Sequence, residues 1–316
     1  MEPNGDMVVE RVARARQLVY WRAAAIVLFM LALFGPVASH LARHPAVLGV
    51  PHIAKLRIHG VITDDTAETV AALDRAAHDT ATRGLLLRIE SPGGAVTGGE
   101  ALHDAIVRFA ARKPVVVSMG GLAASAGYMI AVPAARIFAM PSTLTGSIGV
   151  IMESPEFSGL LGKLGVSVDT IVSGPLKGQP SPTAPLTPEG REMLQGVVND
   201  LFGQFVSMVA QGRHMTADHV RSLADGRPYT GQQALALGLV DQIGTEADAT
   251  AWLRKRLGAS DMHAMPVSPL LRPDGLRPWY RRLAPRNIVT VLPGSQALAS
   301  ARAWLGLDGP VAILQP

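Results

Sequence analysis

One serine of the sequence stands among residues that suit a nucleophile. Ser125 lies in the run GGLAASAGY (residues 120–128), directly after an apolar stretch typical of a buried strand. A serine in the first turn of a helix has free backbone N–H groups beside its hydroxyl, and a developing oxyanion needs such donors. Small residues at these positions also allow tight helix packing. The run alone does not decide between the two interpretations.

A second segment has the composition of an anion or oxyanion cradle. Residues 91–94 read Ser-Pro-Gly-Gly and separate the apolar strand predicted at residues 85–89 from a predicted helix. Glycines let backbone N–H groups approach a ligand closely, because no Cβ blocks the way. The same four residues also form ordinary strand-to-helix turns. Taken alone, the segment favours the ordinary turn.

A serine nucleophile needs a base that takes its proton. None of the nine histidines lies in a glycine-rich segment, and none occurs between His103 and His214. Lys177 lies in a loop bounded by glycine and proline. A lysine acts as a base only when it is neutral, which requires burial away from water. Considered by itself, Lys177 is more simply interpreted as a solvated loop residue. The other basic residues between Lys113 and Arg213 are Arg136, Lys163 and Arg191.

The composition excludes several classes of site. The chain has 316 residues, of which 48% are hydrophobic and 17% charged, so it is long enough to form a sizeable core. It has no cysteine, which rules out disulfides, a thiolate nucleophile and cysteine-ligated zinc. The net charge of +4 is mild, and arginines cluster near both ends of the chain. This distribution predicts solvated or membrane-facing surface and no nucleic-acid binding.

The N-terminal part of the chain predicts a membrane anchor. Residues 23–39 carry no charge and are flanked by arginines, a length just sufficient for a transmembrane helix. The arginine bias places the N-terminus in the cytoplasm and everything after His40 outside it. A cleaved signal peptide is the alternative, since Val37-Ala38-Ser39 resembles a cleavage site. The length of the segment before the apolar run favours the uncleaved anchor, and both interpretations export the rest of the chain.

The middle of the chain alternates strand and helix patterns, which predicts a mainly parallel sheet covered by helices. Thr187-Pro188-Glu189 has the order of an N-cap, a first helical proline and a first-turn acid. The last sixty residues are rich in proline with little periodicity, and we interpret them as a loose extension. Strands are predicted at residues 54–58, 85–89, 115–118, 137–139 and 148–151, and helices at 66–81, 99–111, 187–211, 246–257 and from residues 216 and 231.

Together and in this order, the motifs resemble the signal peptide peptidase A family of serine proteases. The resemblance covers residues 53–253, and 52 residues separate Ser125 from Lys177, the spacing between nucleophile and base in short members of that family. It implies that Ser125 is the nucleophile and Lys177 the general base. The motifs are SPGGAVT, MGGLAASAGYMIA, PSTLTGSIGV, SGPLKGQPSPTAPLTPEGRE and ADGRPYTGQQALALGLVDQIG.

The same resemblance assigns three supporting residues. It implies that Ser147 hydrogen-bonds and orients the lysine, and that the backbone N–H groups of Gly94 and Ala126 form the oxyanion hole. The family's usual Ala-Ser-Gly-Gly is Ala-Ser-Ala-Gly here, a change that keeps the N–H donor of residue 126. No metal and no organic cofactor is implied.

The fold implied is α/β: a ClpP/crotonase-like fold of repeated β-β-α units, preceded by one N-terminal transmembrane helix. The implied function is a membrane-anchored serine endopeptidase that degrades cleaved signal peptides. Its implied location is the bacterial inner membrane, with the protease domain on the extracytoplasmic side, and its implied assembly is a homo-oligomeric ring, an octamer. The expected segments are a cytoplasmic N-terminus (1–22), an anchor (23–39), a linker (40–52), the protease domain (53–257) and a C-terminal extension (258–316).

Three other functions fit parts of the pattern. A crotonase-type acyl-CoA enzyme shares the fold and the oxyanion hole, but it does not need Ser125 and Lys177 together, and export separates it from cytoplasmic CoA. A quality-control protease of membrane or exported proteins has the same dyad with other substrates. A non-catalytic membrane scaffold keeps the fold and uses its grooves for binding.

Overall fold

The computed structural model describes residues 49–259 and 265–271, together with Trp21 and residues 28–30. The helices are α1 (Ala67–His78), α2 (Val96–Ala110), α3 (Ala126–Ala131), α4 (Ser158–Lys163), α5 (Pro188–Arg213), α6 (Ala217–Leu223), α7 (Gly231–Ala236) and α8 (Glu246–Arg256). The strands are β1 (His52–His59), β2 (Thr82–Ser91), β3 (Val115–Ala124), β4 (Arg136–Ala139), β5 (Leu144–Gly146), β6 (Pro228–Thr230), β7 (Gln242–Ile243) and β8 (Val267–Pro269).

The described strands form one sheet in the order β6-β5-β3-β2-β1-β8, with β4 pairing to both β3 and β7. Its central strands β1, β2 and β3 are parallel, so that Leu87 lies opposite Leu56 on one side and Val117 on the other. Parallel strands buried on both faces consist of nearly continuous apolar residues, which is the pattern of residues 85–87 and 115–117. The antiparallel pair among the described strands is β5 with β6.

Helices cover both faces of this sheet. Successive side chains of a strand point to opposite faces, so Leu87 and Val117 join the larger core with α1, α2, α3 and α5. Their neighbours Leu86 and Val116 join a smaller core against Leu253 of α8. Burial on both faces fixes the strands, and with them the turns that leave their carboxyl ends.

Two predictions from the sequence are wrong in detail. The strand predicted at residues 148–151 is absent from the described structure, and the strand lies earlier, at β5. Gly146 and Ser147 have positive φ angles of 75° and 49°, which turn the chain out of the sheet before residue 148. The predicted loose extension also contributes β8, whose neighbour Pro266 accepts the N–H of Ile53 at 2.9 Å. A strand here pairs backbone groups of β1 that would otherwise lie on an exposed edge.

The predicted anchor, residues 23–39, lies outside the described residues except for residues 28–30, which are helical and exposed. The predicted cytoplasmic segment apart from Trp21, most of the linker and most of the C-terminal extension also lie outside them. Within the part of the chain that the structure describes, no helix is both long and apolar enough to cross a membrane.

Candidate active site

Ser125 occupies a sharp turn between strand β3 and helix α3. It is the N-cap of α3, and its φ of 53° is unusual for a residue with a side chain. Its N–H donates to the Gly146 carbonyl at 2.9 Å, and its own carbonyl accepts the N–H groups of Tyr128 and Met129. Such a conformation costs on the order of 1–3 kcal/mol and persists only where the surroundings enforce it. These backbone hydrogen bonds hold Ser125 in that conformation.

The Gly93–Gly94 turn lies directly against this serine. A Cβ on Gly93 would lie 2.7 Å from the Ser125 Cβ and 3.1 Å from its Oγ, so only glycine fits there. The φ angles of Gly93 and Gly94 are +109° and +151°, which side chains disfavour. The Ser91 hydroxyl accepts the Gly93 N–H at 3.1 Å and holds the start of the turn. The structure therefore brings together the two segments that the sequence singled out.

Two backbone donors beside Ser125 have no acceptor among the described residues: the N–H groups of Gly94 and Ala126. Ala126 is the first residue of α3, and a first-turn N–H has no partner within its own helix. Gly94 forms a parallel bridge with Ile62, but that bridge uses the Gly93 carbonyl and the Ala95 N–H. Two free donors next to a hydroxyl are the arrangement that a tetrahedral oxyanion requires.

Glu90 supports the strand that carries the nucleophile, and the sequence analysis missed it. The pairing of β2 with β3 shifts register after Ile89 and resumes with Ser91 opposite Ala123, so β3 bulges in between. Glu90 Oε1 accepts the Gly121 N–H at 3.0 Å. A Cβ on Gly120 would lie 1.7 Å from Glu90 Oε2. The paired glycines before the serine were the available signal, since a bulge favours them.

Ser147 lies next to Ser125 at the same end of the sheet. Gly146 pairs with Ala124, so each serine directly follows one member of this pair. The Ser147 hydroxyl donates to the Gly226 carbonyl at 3.0 Å. The structure brings the two serines together, and the role of Ser147 in orienting a lysine stays a prediction.

Lys177 is not brought to Ser125 by any hydrogen bond among the described residues. Its side chain is exposed, and its N–H closes a turn onto the Gly174 carbonyl at 3.1 Å. It belongs to a long segment, residues 151–187, which we call the arm. Large apolar side chains of the arm are exposed to solvent: Ile151, Phe157, Leu160, Leu164, Val166, Val168, Ile171, Val172 and Leu176. The Ser125–Lys177 dyad therefore stays a prediction.

Other candidates for a base are not placed at Ser125. Within residues 49–259 and 265–271, no histidine forms a hydrogen bond with it. The nearby Tyr128 is fully buried, and its hydroxyl donates to the Leu239 carbonyl at 2.8 Å. Burial raises the pKa of the Tyr128 phenol. The phenol therefore stays protonated near neutral pH and cannot accept a proton from Ser125. No group of acids and histidines in the described ranges could hold a metal ion.

A cavity of about 200 Å³ lies away from these residues. It is lined by residues of β1, α1 and β8 and includes His52 and Thr82, which begin their strands. Ser125 follows the carboxyl end of β3, and the central strands are parallel. The cavity thus lies at the opposite edge of the sheet from the serine.

Comparison with known proteins agrees with this fold. The chain matches the model of peptidase family S49 over residues 108–260 and the Clp protease model over residues 52–145. A putative protease of Synechocystis sp. is 42% identical over 200 residues, which are 63% of this chain and 72% of that protein. A putative signal peptide peptidase SppA of Enterococcus faecium is 37% identical over 66% of this chain and 64% of its own length. Protease 4 of Salmonella typhi is 39% identical over 61% of this chain.

The fold and the site define a serine peptidase with a ClpP-like α/β fold. The chain belongs to peptidase family S49, which includes signal peptide peptidase A, as the sequence motifs indicated. The match spans less than two thirds of the Enterococcus protein and 31% of the Salmonella protein. Activities and substrates of those whole proteins are therefore expectations for this chain.

We expect Gly94→Ala to lower turnover of a fluorogenic peptide by about a hundredfold, the scale of losing one oxyanion donor. Its Cβ would lie 2.0 Å from the Ile62 carbonyl oxygen, which is backbone and cannot move aside. Gly196→Ala, in the middle of α5, is the matched control, because a Cβ there would meet no atom within 4 Å. We expect a loss of less than about tenfold there. Equal losses in both variants would contradict this assignment.

Proposed function

We propose that this protein is a membrane-anchored endopeptidase that uses Ser125 as nucleophile and Lys177 as general base, and that it degrades cleaved signal peptides within their apolar segments. One observation carries the proposal: Ser125 is held at positive φ beside the two free N–H donors of Gly94 and Ala126. A serine that only allowed close helix packing would not need a positive φ beside two free N–H donors. The spacing of 52 residues and the family support Lys177 as the base.

The proposed reaction has two halves. Ser125 Oγ attacks the peptide carbonyl carbon while its proton passes to the Lys177 amine. The oxyanion accepts hydrogen bonds from the Gly94 and Ala126 N–H groups, each worth about 2.7–4 kcal/mol. The C–N bond then breaks, and Lys177 returns the proton to the leaving amine. Water attacks the ester carbonyl carbon on Ser125 and gives a proton to Lys177. The C–O bond to Ser125 then breaks, Lys177 passes that proton to Ser125 Oγ, and the acid is released.

The exposed apolar side chains of the arm suggest how Lys177 is shielded from water. A neutral amine needs neighbours that exclude water, and Lys177 is exposed within the single chain. Ile171 is 99% exposed and Leu164 69%, and soluble chains rarely leave so many large apolar side chains uncovered in one region. We propose that the arm packs on a second copy of the chain and brings its Lys177 to that copy's Ser125. Repetition of this head-to-tail contact closes a ring, which the family resemblance predicts to be an octamer.

The dyad is tested with purified protein and a panel of signal peptides. Ser125→Ala should abolish turnover and labelling by a fluorophosphonate probe. Lys177→Arg keeps the charge but cannot release a proton near neutral pH, so it should also abolish turnover. Lys163→Arg is the matched control in the same arm and should keep wild-type turnover. Substantial activity of the Lys177→Arg protein would mean that another group is the base.

Assembly is tested by mixing two inactive proteins. Ser125→Ala supplies an intact Lys177, and Lys177→Ala supplies an intact Ser125. If each site draws on two chains, random mixing in a ring should restore about a quarter of wild-type activity. Light scattering in detergent should show the oligomer in the same samples. An active monomer would contradict the ring, and an active ring with no recovery on mixing would place both residues of a site in one chain.

The location of the domain forms part of the proposal. It rests on the uncharged residues 23–39 and on the arginines before them. Because the chain has no cysteine, Asp218→Cys introduces a single thiol, at a side chain that is 94% exposed. A membrane-impermeant maleimide should label it in intact spheroplasts. Labelling only after lysis would place the domain in the cytoplasm.

A further inference from the structure

The residues that follow β1 pack onto the Gly93–Gly94 turn. We call residues 60–64 the brace. Ile62 of the brace is 5% exposed, and its peptide covers Gly94 so closely that a Cβ there would lie 2.0 Å from the Ile62 oxygen. Ser125 lies against the neighbouring Gly93. The turn thus lies between the nucleophile and the brace, with Gly94 still open to solvent.

One hydrogen bond of the brace sets the direction of an oxyanion donor. The Ile62 N–H donates to the Gly93 carbonyl at 2.8 Å. That carbonyl belongs to the same peptide group as the Gly94 N–H, and in a trans peptide the two point in opposite directions. Holding the carbonyl toward Ile62 therefore holds the N–H away from it. A second bond, from the Ala95 N–H to the Ile62 carbonyl at 2.8 Å, fixes the next peptide group.

This turn needs an outside constraint because of its composition. Two successive glycines have wide conformational freedom, and a rotation of the peptide between them would replace the N–H at the site with a carbonyl oxygen. A carbonyl there would repel an oxyanion.

The brace is itself fastened at both ends. The Gly60 N–H donates to the Glu90 carbonyl at 3.0 Å. At the other end, the Thr97 hydroxyl of α2 donates to the Asp64 carboxylate, and both side chains are exposed. Thr63 packs so tightly on α2 that a Cβ on Gly98 would lie 2.1 Å from its carbonyl oxygen. The exposed Asp64–Thr97 bond can be altered without opening the core.

We propose that the brace positions the oxyanion hole, with Ile62 holding the Gly93–Gly94 peptide and the Asp64–Thr97 hydrogen bond holding the brace to α2. Ile62, Asp64 and Thr97 act through the Gly94 N–H and are positioning residues. This inference rests on the proposed use of Ser125 and Gly94 in peptide hydrolysis.

The test compares substitutions at Thr97. Thr97→Val removes the hydroxyl with little change in shape and should lower kcat about tenfold at unchanged KM, as expected for a bond to a charged group. Binding of a peptide aldehyde, whose hemiacetal oxygen occupies the oxyanion hole, should weaken by the same factor. Thr97→Ser restores the hydroxyl and should recover both values. Thr250→Val is the control, since that hydroxyl donates to the Glu246 carbonyl within α8, and it should behave as wild type.

A second variant removes the hydrogen bond to the Gly93–Gly94 peptide group itself. Ile62→Pro removes the N–H that holds the Gly93 carbonyl and should lower kcat about a hundredfold. Wild-type kcat and aldehyde binding in folded Thr97→Val would overturn the inference, whether or not Ile62→Pro folds. If instead the proposed function is wrong, the wild-type protein itself will show no turnover that depends on Ser125. That result is distinct from the one that overturns the inference about the brace.

Discussion

The contact between the Gly93–Gly94 turn and Ser125 is the constraint on which the rest of the structure depends. The two chain reversals approach so closely that a single methyl group on Gly93 would overlap the serine side chain. Each therefore takes a conformation that is rare elsewhere: positive φ at both glycines and at the serine itself. The bonds of Ser91, Gly146 and Ile62 to these turns hold conformations that isolated segments would not keep.

The sheet explains why the turns meet. Strands β2, β3 and β5 are parallel neighbours, so their carboxyl ends lie at one edge and deliver Ser91, Ser125 and Ser147 to the same place. Ligand sites of open α/β sheets commonly lie at this edge. The β3 bulge lets the strand continue past the end of β2 before it turns, and Glu90 occupies the space that Gly120 leaves. Positioning of the nucleophile thus begins several residues before it.

The sequence predicted those features that depend on neighbouring residues. Apolar runs indicated the central strands, and Thr187 caps α5 through the Gly190 N–H as its order with Pro188 indicated. Strand β5 was missed, because three residues of mixed polarity carry no periodic signal. Strand β8 was missed because its partner β1 lies over two hundred residues earlier in the chain. The role of Glu90 also depends on a contact between strands, and the Gly120–Gly121 pair signals only that β3 can bulge there.

The position of Lys177 could not be predicted for a further reason. A single chain provides the nucleophile and both oxyanion donors from tightly hydrogen-bonded turns, whereas the lysine lies in the arm among exposed apolar side chains. Those side chains gain about 25 cal/mol for each Å² of apolar surface that a partner removes from water. The same burial would strip water from the lysine, which favours its neutral form. Under the proposed mechanism, association and generation of the base are therefore one event: an unassembled chain would hold a positioned serine without a proton acceptor, and it would gain activity only where copies of the chain are close together.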